Sequence, residues 1–160
     1  MIRKAIKEDA KDIVRINVNS WKETYRKIFP TDFLDKLDSK NISAIERCKE
    51  KIEEYVVYEQ EGKIVAMARY GINKKGYDKA YAEIYALYVD LEYKNQGIGT
   101  KMIDYIFKIL KNDFKYVLIS TLKENSANEF YKKIGGKLIG ECNFSLMGNY
   151  YLENLYQYVL

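Results

Sequence analysis

Residues 94–100 form the segment of the sequence with the most specific chemistry. They read Lys-Asn-Gln-Gly-Ile-Gly-Thr and lie between a strand-like run at 82–89 and a helix-like run. At such a junction, successive amides of a tight turn and a helix N-terminus can point at one anion. Gly97 and Gly99 would let a phosphate approach the backbone closely. We therefore predict a phosphate-binding turn here, with a plain tight turn as the alternative.

The spacing of this turn disfavours the two commoner nucleotide-binding loops. A dinucleotide fingerprint would need glycine at position 102, where the chain has Met102. A Walker loop would need a Gly-Lys-Ser/Thr triplet that is absent from this segment. The turn must therefore serve another phosphate-containing ligand, if it serves one.

Histidine is absent from the chain, which has 16 tyrosines. This absence excludes Ser-His-Asp hydrolysis, Cys-His proteolysis and histidine-ligated zinc or haem sites. Chemistry must then come from carboxylates, tyrosines, lysines or backbone amides. Cys48 and Cys142 fit no Cys-x-x-Cys metal or redox spacing, and we expect both to be buried as small hydrophobic residues.

Length and composition predict one domain, residues 1–160, because 48% of the 160 residues are hydrophobic and can close one core. A net charge of +4 is too small to indicate a nucleic-acid-binding protein. The sequence has no run of signal-peptide type and nothing near the roughly 20 apolar residues that cross a bilayer. We therefore expect a cytoplasmic protein with neither nucleic acid nor membrane as partner.

Apolar periodicity predicts the elements that position the turn. Helices are expected before Pro30, between Phe33 and Ile52, after the turn as far as Leu110, and from Asn125 to Gly135. Strands are expected at residues 2–6, 55–60, 64–70, 82–89, 116–120, 137–144 and 151–160, with a polar connection at 71–79. The strand, helix and strand around the turn require a parallel pair with a right-handed crossover.

Two separated motifs resemble the GNAT superfamily of N-acetyltransferases. The first is the strand at 83–89 followed by the turn, where Gly97 and Gly99 match the family's pyrophosphate loop and Lys94 replaces the usual Arg or Gln. The second is Asn125 followed by Phe130-Tyr131 and a glycine, similar to the family's Asn-x-x-Ala-x-x-Phe-Tyr-x-Lys-x-Gly-Phe. The segment around Trp21 looks like small bacterial members, some of which acetylate polyamines or other small amines.

The resemblance implies an α/β (α+β) GNAT fold. Its central sheet is mixed and mostly antiparallel, with about seven strands, one parallel strand-helix-strand unit and about four flanking helices. It also implies acetyl-coenzyme A (acetyl-CoA) as co-substrate, with no metal. The main chain of the strand before the turn would pair with the pantetheine arm, and the turn's amides would hold the pyrophosphate. The implied cofactor-binding residues are Leu87, Val89, Lys94, Asn95, Gln96, Gly97, Ile98, Gly99, Thr100 and Asn125.

The resemblance also implies catalytic roles for Glu83 and Tyr131. An alkylamine is mostly protonated at neutral pH, so a carboxylate or ordered water must take a proton before the amine attacks the thioester. Glu83 is the candidate base, and the Tyr131 phenol would protonate the departing thiolate. An unpaired Val89 amide would stabilise the oxyanion if the strand bulges there. Each residue has an ordinary alternative: a solvent-facing Glu83, a core Tyr131 and a helix-capping Asn125.

The acceptor amine is least determined by the sequence. Trp21 and Tyr25 would line an acceptor slot, with helix packing as the alternative. The acceptor is expected to be a small-molecule amine or a peptide, attacked directly in a ternary complex. A non-catalytic acyl-CoA-binding module and an enzyme that uses a longer acyl chain stay open, as does a homodimer through the last strands.

Overall fold

The computed structural model describes residues 1–160, which form seven strands and five α-helices. The strands are β1 (Ile2–Lys4), β2 (Tyr55–Gln60), β3 (Lys63–Ile72), β4 (Tyr81–Val89), β5 (Tyr116–Leu122), β6 (Lys137–Leu146) and β7 (Asn149–Val159). The helices are α1 (Ala10–Thr24), α2 (Thr31–Asp35), α3 (Ile42–Glu50), α4 (Ile98–Leu110) and α5 (Ala127–Lys133). None of them has the length and apolar character needed to cross a bilayer.

The strands make one sheet in the order β1-β2-β3-β4-β5-β7-β6. Strands β4 and β5 are parallel and pair over residues 81–84 and 116–119, with α4 as the crossover between them. The pairs β1-β2, β2-β3, β5-β7 and β6-β7 are antiparallel. The predicted mixed sheet of seven strands with one parallel unit is thus confirmed. Four of the five helices are long, which agrees with the expected number.

Several predicted boundaries differ from those of the structure, among them the following three. The helical stretch between Phe33 and Ile52 is two helices, because the chain leaves the helix after Asp35 and starts again after Asn41, whose side chain accepts a hydrogen bond from the Ala44 amide. The first strand stops at Lys4. Helix α4 already begins at Ile98, so the last residues of the predicted turn form the first turn of a helix.

The Cα positions divide the chain into two compact units. One contains Met1–Tyr70 and Ala86–Ile106, and its core packs α1 and α3 with β2 and β3 through residues such as Ile13, Cys48 and Met67. The other contains Gly71–Tyr85 and Phe107–Leu160, where residues such as Leu118 are fully buried. The expected single domain stays a prediction.

Asn128 joins three elements of the second unit through its buried side chain. Its Nδ2 donates to the carbonyls of Leu122 and Asn125 at 2.9 and 2.7 Å, with a third contact to Lys123 at 3.3 Å. Its Oδ1 accepts from Asn154 Nδ2 at 2.9 Å and Tyr156 Oη at 2.6 Å. The start of α5 is therefore tied to the end of β5 and to β7, and this network holds the segment that carries Asn125 and Tyr131.

Replacing Asn128 should unfold the protein at lower denaturant concentration. Asn128→Ala leaves the buried Tyr156 phenol without its acceptor and removes side-chain donors from the Leu122 and Asn125 carbonyls, which keep one backbone amide each. The loss should lower the free energy of unfolding by about 2 kcal/mol. Urea denaturation followed by circular dichroism measures the difference. The control Asn143→Ala removes the same group from an exposed position on β6 and should change stability by less than about 0.5 kcal/mol. Equal losses in both variants would contradict a specific role for the network.

Candidate active site

The connection from β4 to α4 contains two residues in the left-handed region. After a 3₁₀ turn at Leu91–Tyr93, Asn95 has φ 62° and Gly97 has φ 76°. Asparagine tolerates this conformation better than most residues, and glycine adopts it without strain. The sequence therefore supplies a suitable residue at each position where the chain bends.

This connection presents a row of available amides. No carbonyl or side chain of the protein accepts a hydrogen bond from the amides of residues 95–100, and the first bond of α4 runs from the Lys101 amide to the Gly97 carbonyl at 3.1 Å. Successive amides of this kind, next to a helix N-terminus with its partial positive charge, fit a phosphate group. The residues present therefore fit the diphosphate of a CoA-type ligand.

The turn is anchored on both sides. The Ile98 side chain is 3% exposed and holds the first residue of α4 in the core. Before the turn, Asp90 accepts from Arg15 of α1 at 3.0 Å, and the same guanidinium donates to the Ile64 carbonyl at 2.9 Å. The Asp90 amide also donates to the Val65 carbonyl at 2.9 Å. These bonds join α1, β3 and the end of β4, and they fix the entry into the turn.

Lys94 is paired with a carboxylate of α1. Its Nζ lies 3.0 Å from Glu23 Oε1, and both side chains are partly exposed. A contact between Lys94 and a phosphate stays a prediction. It requires the Lys94 ammonium either to break its ion pair with Glu23 or to interact with Glu23 and the phosphate at the same time.

Glu83 lies inside the second unit and is 5% exposed. Its Oε2 accepts from the Lys74 amide at 2.7 Å, and its Oε1 lies 3.8 Å from Lys75 Nζ. The same Nζ lies 3.7 Å from Oε1 of Glu153 on β7, whose side chain is 12% exposed. A solvent-facing Glu83 is thereby excluded.

The sequence reasoning missed Lys75 and Glu153 as neighbours of Glu83. Both are distant from the two recognised motifs, and Glu153 is 70 residues from Glu83 in the numbering. The available signal was limited to the predicted polar connection at 71–79, which contains three lysines. Together, Glu83, Lys75 and Glu153 place two carboxylates around one ammonium.

Asn125 and Tyr131 lie at the two ends of α5. The Asn125 Oδ1 accepts from the Ala127 amide at 2.9 Å and closes a turn just before α5, so Asn125 lies one residue before the N-cap, Ser126, and not at the cap position that the alternative assigned to it. The Tyr131 side chain is buried, with its ring 5.3 Å from Phe130 and 6.1 Å from Tyr156 between centroids. Tyr158 Oη donates to the Tyr131 carbonyl at 2.8 Å. The turn of α5 that carries the phenol is therefore rigidly held.

Trp21 and Tyr25 belong to an aromatic cluster at the end of α1. Their rings meet edge to face at 5.1 Å, and the Tyr25 ring lies 4.7 Å from Phe29. Tyr25 is buried whereas Trp21 is half-buried. Packing accounts for both, and a role in acceptor binding stays a prediction.

The two cysteines are poor candidates for nucleophiles. Burial raises the pKa of Cys48 to about 11, so its thiolate is scarce at neutral pH. The prediction that Cys142 is also buried was wrong. It is half-buried, because the face of β6 on which it lies is only partly covered. Its thiol donates at 3.7 Å to Glu153, the residue directly opposite on β7. Desolvation raises its pKa as well.

A model described as the acetyltransferase (GNAT) family matches residues 17–154. The chain belongs to the GNAT acetyltransferase family. This GNAT protein is therefore a transferase, an N-acetyltransferase of the acyltransferase class. The matched range includes the whole turn at residues 95–100 and both Glu83 and Tyr131.

Relatives of this GNAT protein match along most of its length. An uncharacterized N-acetyltransferase, YuaI of Bacillus subtilis (strain 168), is 28% identical over 151 residues, which are 92% of this chain and 86% of that one. The PaiA N-acetyltransferase of Thermoplasma acidophilum, solved in complex with coenzyme A, has a TM-score of 0.75 at 20% identity and covers 96% of both chains. YncA of Salmonella typhimurium, solved with its cofactor acetyl-CoA, has a TM-score of 0.74 at 16% identity over 99% of this chain and 92% of that one. These matches confirm the GNAT fold and leave the polyamine or small-amine subgroup as a prediction.

Proposed function

We propose that this protein binds acetyl-CoA with its diphosphate on the amides of residues 96–100 and transfers the acetyl group directly to an amine of a small molecule or peptide. One observation carries the proposal: the amides of residues 95–100 have no acceptor in the protein, at the N-terminus of α4. Because these are main-chain donors, the Lys94 substitution leaves the set intact. The proposal includes a cytoplasmic location, with neither nucleic acid nor membrane as partner.

The pantetheine arm would run along the second half of β4. Leu87 and Val89 lie past the four residues of β4 that pair with β5, which supports main-chain hydrogen bonding from these residues to the arm. Asn125 would bind the arm while its Oδ1 keeps the Ala127 amide, because its Nδ2 can still donate. Lys94 would add a charge-assisted contact after exchanging Glu23 for phosphate.

Glu83 would act as the general base. Its carboxylate is buried, already accepts one backbone amide and lies near one ammonium group, which supports a role in handling the proton of an incoming amine. The amine nitrogen would then attack the thioester carbonyl, with the oxyanion on the Val89 amide. As the C–S bond breaks, the Tyr131 phenol would give a proton to the leaving thiolate.

A cationic acceptor is favoured by the charges around Glu83. Glu83 and Glu153 carry two negative charges against the one positive charge of Lys75, so a second ammonium would be attracted. Trp21 and Tyr25, whose rings meet edge to face, would line an acceptor slot with apolar surface. Polyamines are the first class to test, and steady-state assays of thiol release with spermidine, aminoglycosides, amino acids and a lysine peptide would rank the acceptors. Competition between acetyl- and succinyl-CoA tests a longer acyl donor.

Gly97→Ala should weaken coenzyme A binding. A residue with a Cβ is strained at φ 76°, so the turn should shift and its amides should no longer point at the phosphate. If one phosphate is bound less well, the affinity for coenzyme A should fall by about tenfold. Isothermal titration calorimetry with coenzyme A measures it. Gly62→Ala is the matched control, because Gly62 has the same φ of 76° and open space around its Cβ, but lies in the β2-β3 turn. Equal affinity of both variants and the unchanged protein would rule out the phosphate-binding turn.

Glu83→Gln should lower kcat by about 10²-fold or more, because an amide cannot accept the proton, while coenzyme A affinity is unchanged. Tyr131→Phe should also lower kcat without weakening binding. Thiol release with the best amine of the panel and calorimetry give the two readouts. The control Glu61→Gln changes an exposed carboxylate in the β2-β3 turn and should leave kcat unaltered. A protein that binds coenzyme A but releases no thiol with any amine would instead be a non-catalytic module.

A further inference from the structure

We propose that Lys75 is an acetylation site of the enzyme itself, with Glu83 as the base. The inference rests on the proposed function, since it needs Glu83 to handle the proton of an attacking amine. Lys75 supplies a primary alkylamine whose Nζ lies 3.8 Å from the Glu83 carboxylate. The chain thus holds one of its own amines where an acceptor amine would have to lose its proton. A distance of this size permits transfer through one water or after a small side-chain movement.

The position of Lys75 is built into the connection between β3 and β4. The Asn73 Oδ1 accepts from the amides of Lys75 and Tyr77 at 3.3 and 3.0 Å, and its Nδ2 contacts the carbonyls of Tyr77, Asp78 and Tyr81. The preceding residue, Lys74, donates its amide to Glu83 at 2.7 Å. Because the connection is fixed on Asn73 and on Glu83, Lys75 is directed to the carboxylate by the backbone.

Neighbouring lysines lack this arrangement. The Lys74 ammonium lies over the Tyr85 ring, 4.1 Å from its centroid, and the Lys79 side chain is exposed. Lys75 is 23% exposed and lies between Glu83 and Glu153. A reaction that depends on a base should therefore select Lys75, whereas uncatalysed acetylation of surface amines should favour the more exposed Lys74 and Lys79.

The reaction balances without any further reagent. The Lys75 ammonium gives one proton to Glu83, and its lone pair forms a C–N bond with the carbonyl carbon of acetyl-CoA. The C–S bond then breaks, and the nitrogen loses its second proton as the amide forms. One of the two protons converts the departing thiolate to free coenzyme A, and the other goes to solvent. The product is a neutral acetylated Lys75, which no longer forms an ion pair with Glu83 and Glu153.

Peptide mass spectrometry after incubation with acetyl-CoA alone tests the inference. Acetyl occupancy at Lys75 should exceed that at Lys74 and Lys79 by at least about tenfold, because a positioned base accelerates one site. The initial rate constant should not depend on protein concentration, as expected for reaction within one molecule. Glu83→Gln, checked for folding by circular dichroism, should remove the preference for Lys75. Equal occupancy at the three lysines, or an undiminished preference in Glu83→Gln, would overturn the inference.

A second pair of variants keeps the test independent of Glu83. Incorporation of labelled acetyl should fall in Lys75→Arg, which keeps a cation between the carboxylates but removes the acceptor, and should be unaltered in Lys79→Arg. Equal incorporation in the two variants would overturn the inference. Thiol release with external amines, without any preference for Lys75, would overturn this inference while the proposed function stands. If neither thiol release with external amines nor preferential acetylation of Lys75 is observed, the inference and the proposed function are both overturned.

Discussion

The passage of the chain from β4 into α4 depends on two left-handed residues. With Asn95 at φ 62° and Gly97 at φ 76°, the amides of residues 95–100 have no carbonyl partner in the protein. Donors of this kind belong to the main chain, so they depend on the path of the backbone and not on the side chains of the turn. A lysine at position 94 is therefore compatible with a loop that more often begins with Arg or Gln.

The backbone path of residues 95–100 must be held by contacts outside the turn. Amides that have no acceptor in the protein add no intramolecular hydrogen bond that would stabilise the turn. Asn95, Gln96 and Gly97 are exposed, so water can satisfy their amides at little cost. The restraint comes from either side: the buried Ile98 side chain and the bonds that join Arg15, Asp90 and Ile64. The backbone path of a local motif thus depends on contacts that are distant in sequence.

The same contrast between local sequence pattern and contacts that are distant in sequence separates the elements that were predicted correctly from those that were missed. The two strands on either side of Gly62, the strand before the turn and the helix after it depend on periodicity and turn residues within a few positions, and these elements were predicted correctly apart from their ends. The break between α2 and α3 was missed because apolar residues continue at helical spacing through Leu37 as if one helix ran on. Cys142 was misjudged because the exposure of a strand face depends on what packs against it.

The buried charge cluster around Glu83 shows why a family can be recognised from the sequence while the neighbours of a buried side chain cannot. Glu83, Lys75 and Glu153 come from a strand, a connection and a second strand, and their mutual distances are set by the sheet and by the Asn73 bonds. Replacing any one of them would change the charge near the buried carboxylates without altering the pattern that forms the sheet. The turn at residues 95–100 is thus defined by local backbone geometry, whereas the cluster of Glu83, Lys75 and Glu153 depends on side chains that only the folded chain brings together.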